Sequence, residues 1–285
     1  MEDLRYFSLV NNQDCTILVN SCDLYEDAWA PFFKLFKIQW PDCPYSFVLN
    51  TEFKSFETNC FDVTIFNSGD IPWSDRVLSA LETIESEYIL FFLEDFFLMS
   101  PVKIDVFNSA LSYIRENKEI GVICFNPDVD SRAWKTKGSY GKYFTELKRG
   151  SIARINSVAA LWRKDFLIKV LERGETPWEF EANGTLRGES CEEMVLCLSD
   201  IKNVPFKFHF CVGYGYGITS KSWLPKNKQL FDKYGIEVDF EKLGWYVPQP
   251  KRQKRSFKEK LSLIYKNPKE LVGMISVKMK KLFRN

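Results

Sequence analysis

The sequence predicts an α/β domain with a mixed, mostly parallel sheet flanked by helices, and three features of its first hundred residues predict it. Apolar runs of strand length alternate with stretches of helical periodicity. The runs are continuously apolar, the pattern of strands covered on both faces in a parallel sheet. They also close on small polar or acidic residues, at Asn20-Ser21-Cys22-Asp23, Asn50-Thr51-Glu52 and Glu94-Asp95.

Taken in order, Thr16 to Asp23 reads as the first strand with its polar end, and Ala28 to Gln39 as a helix that Pro41-Asp42-Cys43-Pro44 terminates. Tyr45 to Asn50 and Asp62 to Phe66 are the second and third strands. After Gly69-Asp70-Ile71-Pro72, the segment Trp73 to Ser86 sets Val77, Leu78, Leu81 and Ile84 on one amphipathic stripe. It leads into Tyr88 to Leu98, an apolar run interrupted by Glu94-Asp95. A buried ionised carboxylate is costly unless paired or metal-bound, so the pair is expected at a strand's end facing a cation. Two solvated acids at an edge turn are the alternative.

Further on, Val106 to Asn117 reads as a helix and Gly121 to Phe125 as a strand. Asn126 to Gly150 is expected as a long loop over the site, Ala159 to Trp162 as a strand and Lys164 to Glu172 as a helix. Thr176-Pro177-Trp178-Glu179 carries the Thr-x-x-Glu helix-start signature with Pro at the first helical position. Glu179 is thereby either a capping residue or a carboxylate placed to take a proton. Phe206 to Phe210 is the last strand expected; its His209 is the chain's single histidine, more simply a hydrogen-bonded structural residue than a ligand. Gly213 to Gly217 follows as an aromatic turn.

Composition narrows the function. With 45% hydrophobic and 16% aromatic residues in 285, the chain can fill a large core. Eight scattered cysteines without a C-x-x-C pair point to reduced core thiols rather than zinc sites or disulfides. No run approaches the roughly 20 apolar residues of a spanning helix, and Met1-Glu2-Asp3-Leu4-Arg5 opens with acids, so a cytoplasmic location is expected. Neither glycine-rich phosphate-binding loop is present, which leaves a metal on carboxylates as the device for holding phosphates. In open α/β sheets ligands bind beyond the carboxyl ends of the strands, so Asn20, Asp23, Glu52 and Glu94-Asp95 are expected to line one crevice.

Charge divides the chain in two, at 1–250 and 251–285. The last 35 residues hold 12 Lys and Arg against 2 Asp and Glu, the rest 27 against 36. With apolar residues recurring among its lysines, the tail reads as a basic amphipathic segment for an anionic membrane surface; a nucleic-acid tail, disfavoured, and a helix packed on the body or on a second subunit are the alternatives.

The strand end Val19-Asn20-Ser21-Cys22-Asp23, Trp29-Ala30-Pro31-Phe32-Phe33 with Trp40-Pro41, Trp73-Ser74-Asp75-Arg76, Leu93-Glu94-Asp95-Phe96-Phe97-Leu98 and Pro177-Trp178-Glu179-Phe180-Glu181 occur in an order that resembles bacterial GT-A-fold (Rossmann-like) glycosyltransferases of capsule, O-antigen and exopolysaccharide synthesis. The resemblance spans residues 14 to 225, with Glu94-Asp95 in place of the family's Asp-x-Asp signature. It implies a metal-assisted, inverting transfer from a nucleotide-diphosphate sugar, UDP-linked first among them, to a saccharide or lipid-linked saccharide acceptor. It further implies Asp95 as ligand of Mn or Mg with Glu94 beside it, and Arg76 on the leaving diphosphate. Asn20, Asp23 and Glu52 fall at the nucleoside, Trp178 at the acceptor, and Glu179 or Glu181 is the base. The corresponding location is the inner face of the cell membrane. A nucleotidyltransferase, a sugar-nucleotide hydrolase and a non-catalytic membrane-associated scaffold are the competing readings.

Overall fold

The computed structural model describes residues 14–125, 138–151, 153–208 and 217–248. The basic tail at 251–285, His209, most of the Gly213 turn and the first half of the expected loop at 126–150 lie outside the described residues.

The chain alternates β1 (Cys15–Asn20), α1 (Trp29–Gln39), β2 (Ser46–Thr51), β3 (Val63–Asn67), α2 (Trp73–Thr83), β4 (Tyr88–Leu93), α3 (Ile104–Glu116) and β5 (Ile120–Cys124). It continues through β6 (Phe144–Glu146), β7 (Ala160–Arg163), α4 (Lys164–Val170), α5 (Pro177–Glu179), α6 (Thr185–Glu189) and β8 (Met194–Leu198). The hairpin β9 (Ile218–Thr219) and β10 (Ser222–Trp223) and helix α7 (Lys226–Lys233) follow. The main sheet has the order β3-β2-β1-β4-β7-β5-β8-β6. The first four strands are mutually parallel, β5 and β8 are parallel to each other, and β7 runs antiparallel between the two blocks, with β6 antiparallel at the edge. This is a mixed, mostly parallel α/β domain.

β4 shows why the sheet is central. Its alternate residues face opposite sides. Tyr88, Leu90 and Phe92 enter a core with Trp29, Phe32, Phe36 and Trp40 of the first helix and its end. Ile89 and Phe91 enter another with Val77, Leu81, Trp162 and Phe166. A strand buried on both faces has no polar position to offer until it leaves the sheet, which happens at Glu94.

Two elements depart from the sequence expectation. β6 lies inside the stretch expected to be loop, and β8, a five-residue Met-Val-Leu-Cys-Leu run, was not expected. Runs so short carry no periodicity that separates strand from helix. Conversely, Phe206 is no strand residue: its ring is buried among Trp40, Phe92, Phe107 and Phe125, and Phe208 pairs with Leu98 through an isolated bridge and stacks on Phe96. The aromatic content signalled core filling, not a ladder. None of the seven described cysteines forms a disulfide, and four of them are buried. No helix among the described residues is long and apolar enough to cross a membrane.

Candidate active site

Because β1, β2 and β4 are adjacent and parallel, their polar ends meet at one edge of the sheet. Asn50 Nδ2 donates to Asn20 Oδ1 at 2.7 Å and to the Arg76 carbonyl at 3.0 Å. The Arg76 guanidinium enters from α2, donating to the Ser21 carbonyl at 2.7 Å and lying 3.4 Å from Glu52. Asp23 and Glu52 brace each other: the Asp23 amide donates to Glu52 Oε2 at 3.0 Å, while Asp23 Oδ1 accepts from the amides of Glu52, Phe53 and Lys54 at 3.1–3.2 Å. The strand ends leave amides without ladder partners, and these carboxylates satisfy them. The structure thus brings Asn20, Asp23, Glu52 and Arg76 together. Asp23 Oδ1 is taken up by backbone amides. Arg76 Nε and Asn50 Oδ1 are buried there with no hydrogen-bond partner among the described residues.

Glu94 and Asp95 are both buried at the end of β4. Burial first, and the Asp95 charge second, hold the Glu94 carboxyl well above the usual range, against the Ser21 hydroxyl and the Arg76 charge. Burial also raises Asp95, opposed by bonds from the amides of Ile218 and Gly217. Those bonds, at 3.0 and 3.1 Å to Oδ2, make Asp95 a clasp for a segment more than a hundred residues away. The Gly217 carbonyl in turn accepts from Leu224 N at 3.1 Å and from the Asn227 side chain. Asp95 therefore has a structural duty that its position in the sequence did not suggest. Tyr25, on the short turn after β1, feels both acids, and burial chiefly pushes its phenol up to about 12. Ser21, Tyr25 and Asn50 were not singled out from the sequence as site residues, although Ser21 and Asn50 stand inside the polar strand ends that were.

No group of three or more His, Cys, Asp or Glu side chains among the described residues is disposed to hold a metal. A metal bound mainly through a ligand's phosphates needs only one or two protein carboxylates, and Glu94 with the Asp95 oxygen outside the clasp are the residues that could supply them.

The pair has a measurable consequence. In the unfolded chain both carboxyls titrate in the ordinary range, near about 4, whereas the folded protein keeps their protons to higher pH. The folded state binds more protons in that window, so stability falls as pH rises through it. The urea midpoint is expected to drop between about pH 5 and 8, and Glu94→Gln to flatten the slope. A wild-type midpoint independent of pH would contradict the burial of this pair.

The second acidic locus reaches the same edge. β7 is antiparallel to β4, with Ala160 opposite Phe91, so the residues preceding β7 run toward the Glu94 end. There the Ser157 amide and hydroxyl donate to Glu181 Oε1 at 3.1 and 2.7 Å. Glu181 follows α5 in a π turn, Phe180–Gly184, that joins it to α6. The stretch is held beside α2 by Ser74 N to the Glu175 carbonyl at 3.1 Å, Glu175 N to Ser74 Oγ at 2.9 Å and Trp73 against Phe180. Glu179 lies elsewhere. It completes a capping box with Thr176, and the bonds from the Thr176 amide and hydroxyl hold its carboxyl below the usual range. Its helix-capping reading is the one observed. Trp178, in the same turn, is 77% exposed.

No family model and no curated protein matches the chain. Among solved structures, S. aureus TarS 1–349 in complex with UDP is similar at 13% identity and TM-score 0.43, over 64% of this chain and 56% of that one. A cytidylyltransferase from Leptospira borgpetersenii is similar at 12% and 0.38, over 59% and 68%. The 2-C-methyl-D-erythritol 4-phosphate cytidylyltransferase from Thermus thermophilus is similar at 10% and 0.34, over 68% and 92%. The chain spans little more than half of the TarS fragment, and likeness at these values speaks to neither substrate nor reaction.

Proposed function

We propose that the protein is a nucleotide-sugar-dependent glycosyltransferase, with Glu181 as the base that activates the acceptor hydroxyl. One observation carries this reading: Glu181, anchored by Ser157, reaches the same sheet edge as Arg76 and the Glu94-Asp95 pair. A proton acceptor and a charge-handling group on one edge suit a displacement at a sugar carbon with a diphosphate leaving.

In this reading the nucleoside lies by Asn20 and Glu52, the diphosphate by Arg76 and the acceptor sugar by Trp178, whose exposed ring suits the apolar face of a saccharide. As the acceptor oxygen bonds to the anomeric carbon, its proton passes to Glu181 and the bond to the diphosphate breaks, so configuration inverts. Arg76 offsets the charge that develops on the leaving group. A divalent cation, held by Glu94 and Asp95 when bound, supplies further stabilisation of that charge. A cation there favours the ionised carboxylates, so manganese is expected to flatten the pH slope of stability described above. For the acceptor we propose a lipid-linked saccharide of bacterial surface-polysaccharide synthesis, with the basic segment 251–285 docking on the anionic inner face of the membrane.

The test is product analysis. The full chain, incubated with UDP-, GDP- and dTDP-sugars and a saccharide acceptor, is expected to release nucleoside diphosphate in an acceptor-dependent way. Release of pyrophosphate from a nucleoside triphosphate and a sugar phosphate would instead identify a nucleotidyltransferase. Release without acceptor would identify a hydrolase.

A further inference from the structure

The segment before β7 is fastened along one face of the α5–α6 stretch at three levels. Arg154 donates to the Gly188 carbonyl at 3.2 Å. The Ile155 amide donates to Thr185 Oγ1 at 3.0 Å, and that hydroxyl lies 2.7 Å from the Glu181 carbonyl. Ser157 meets the Glu181 carboxylate with both its donors. Glu181, Thr185 and Gly188 stand at i, i+4 and i+7, one helical face. The approach is close because that face also carries glycines. A Cβ at Gly184 would lie 3.2 Å from Ile155 Cγ2 and 3.1 Å from the Val170 carbonyl, and one at Gly188 3.3 Å from Ile155.

The opposing segment is among the most deeply buried irregular backbone in the molecule. Arg154 and Ile155 are 0% exposed and Asn156 3%. The last of these bonds is the one that holds a side-chain carboxylate. Glu181 Oε1 receives two bonds, both from Ser157, and Oε2 receives none among the described residues. Two donors on one oxygen fix the rotation of the carboxylate and leave the other oxygen to a ligand.

We propose that Ser157 is a positioning residue for the base: its amide and hydroxyl hold Glu181 Oε1 so that Oε2 meets the acceptor hydroxyl, with Arg154 and Thr185 fixing the helix against the same segment. The proposal rests on the reading of Glu181 as the base. Its chemistry needs no new group, since the acceptor proton still goes to Glu181 and the diphosphate still leaves.

The experiment compares Ser157→Ala, Ser157→Thr and Glu181→Gln, alone and with Ser157→Ala combined with Glu181→Gln, in the transfer assay with the amount of folded protein measured by circular dichroism. Ser157→Ala keeps the amide bond and is expected to lower kcat by about 10-fold to 100-fold with the donor KM unchanged. Ser157→Thr, which keeps the hydroxyl, restores most of it. In the Glu181→Gln background the alanine substitution has no further effect, because there is no base left to position. Wild-type kcat per folded molecule in Ser157→Ala, with Glu181→Gln inactive, overturns the positioning role and spares the base. Full turnover in Glu181→Gln overturns both.

Discussion

Glu181→Gln is expected to lower transfer by about 10²–10⁴-fold, the usual contribution of a general base, with little change in stability. The amide is isosteric, and its oxygen can still accept from Ser157, so the fastening to residues 154–157 persists. What is lost is the ability to take a proton. Glu179→Gln makes the matched comparison. Glu179 differs from Glu181 in place rather than in bonding: the Thr176 amide and hydroxyl donate to its Oε2 at 2.9 and 2.8 Å as a cap on the start of α5, whereas Glu181 meets Ser157 ahead of β7. That variant is expected to loosen the start of α5 and to keep turnover. Initial rates of both, at saturating donor, decide between the two acids; loss of turnover only in Glu179→Gln would reverse the assignment.

The second large effect concerns the clasp. In Gly217→Ala the new Cβ would lie 2.4 Å from the Phe97 ring and 2.6 Å from the Asp95 carbonyl. The ring is buried and stacked on Trp223, and the carbonyl belongs to the backbone, so neither can yield without moving the Glu94-Asp95 turn itself. A destabilisation of about 1–3 kcal/mol or more is expected. For a chain of this size each kcal/mol corresponds to roughly 2–4 °C in Tm. Asp95→Ala acts on the same contact from the other side, leaving two amides unpaired at about 1–3 kcal/mol each. Asp95→Asn retains an oxygen for those amides while removing the charge. It is expected to preserve most of the stability, so its activity reports the charge alone. Thermal denaturation showing Gly217→Ala as stable as wild type would remove the clasp from the account.

The contrast between Asp95 and Glu181 shows how far the sequence reaches. The parallel block β1–β4 was legible because each strand is an uninterrupted apolar run with a polar end, and those ends meet whenever the strands are adjacent. The acidic pair was legible for the same reason, as charge inside an apolar run demands an explanation. Its partner was not, since Gly217 stands 122 residues further on and nothing local marks it as the donor to Asp95. Asp23 and Glu52 were placed correctly at the edge, yet their bonds to each other's backbone follow from loop geometry that residue type does not encode. Between Glu179 and Glu181 the sequence left the base open. Ser157, the partner of Glu181, belongs to a segment without periodicity, and their meeting depends on β7 running antiparallel beside β4.

The central claim is that the edge formed by Asn20, Glu52, Arg76 and Glu94-Asp95 takes a nucleoside diphosphate. Calorimetric titration of the full chain with UDP, GDP, CDP and dTDP, each with and without manganese, tests it most directly. The account predicts that one of them binds, more tightly with the metal, and that Glu94→Gln removes the metal's contribution while remaining folded. Binding of none of the four, by protein whose folding is verified in the same sample, would contradict it.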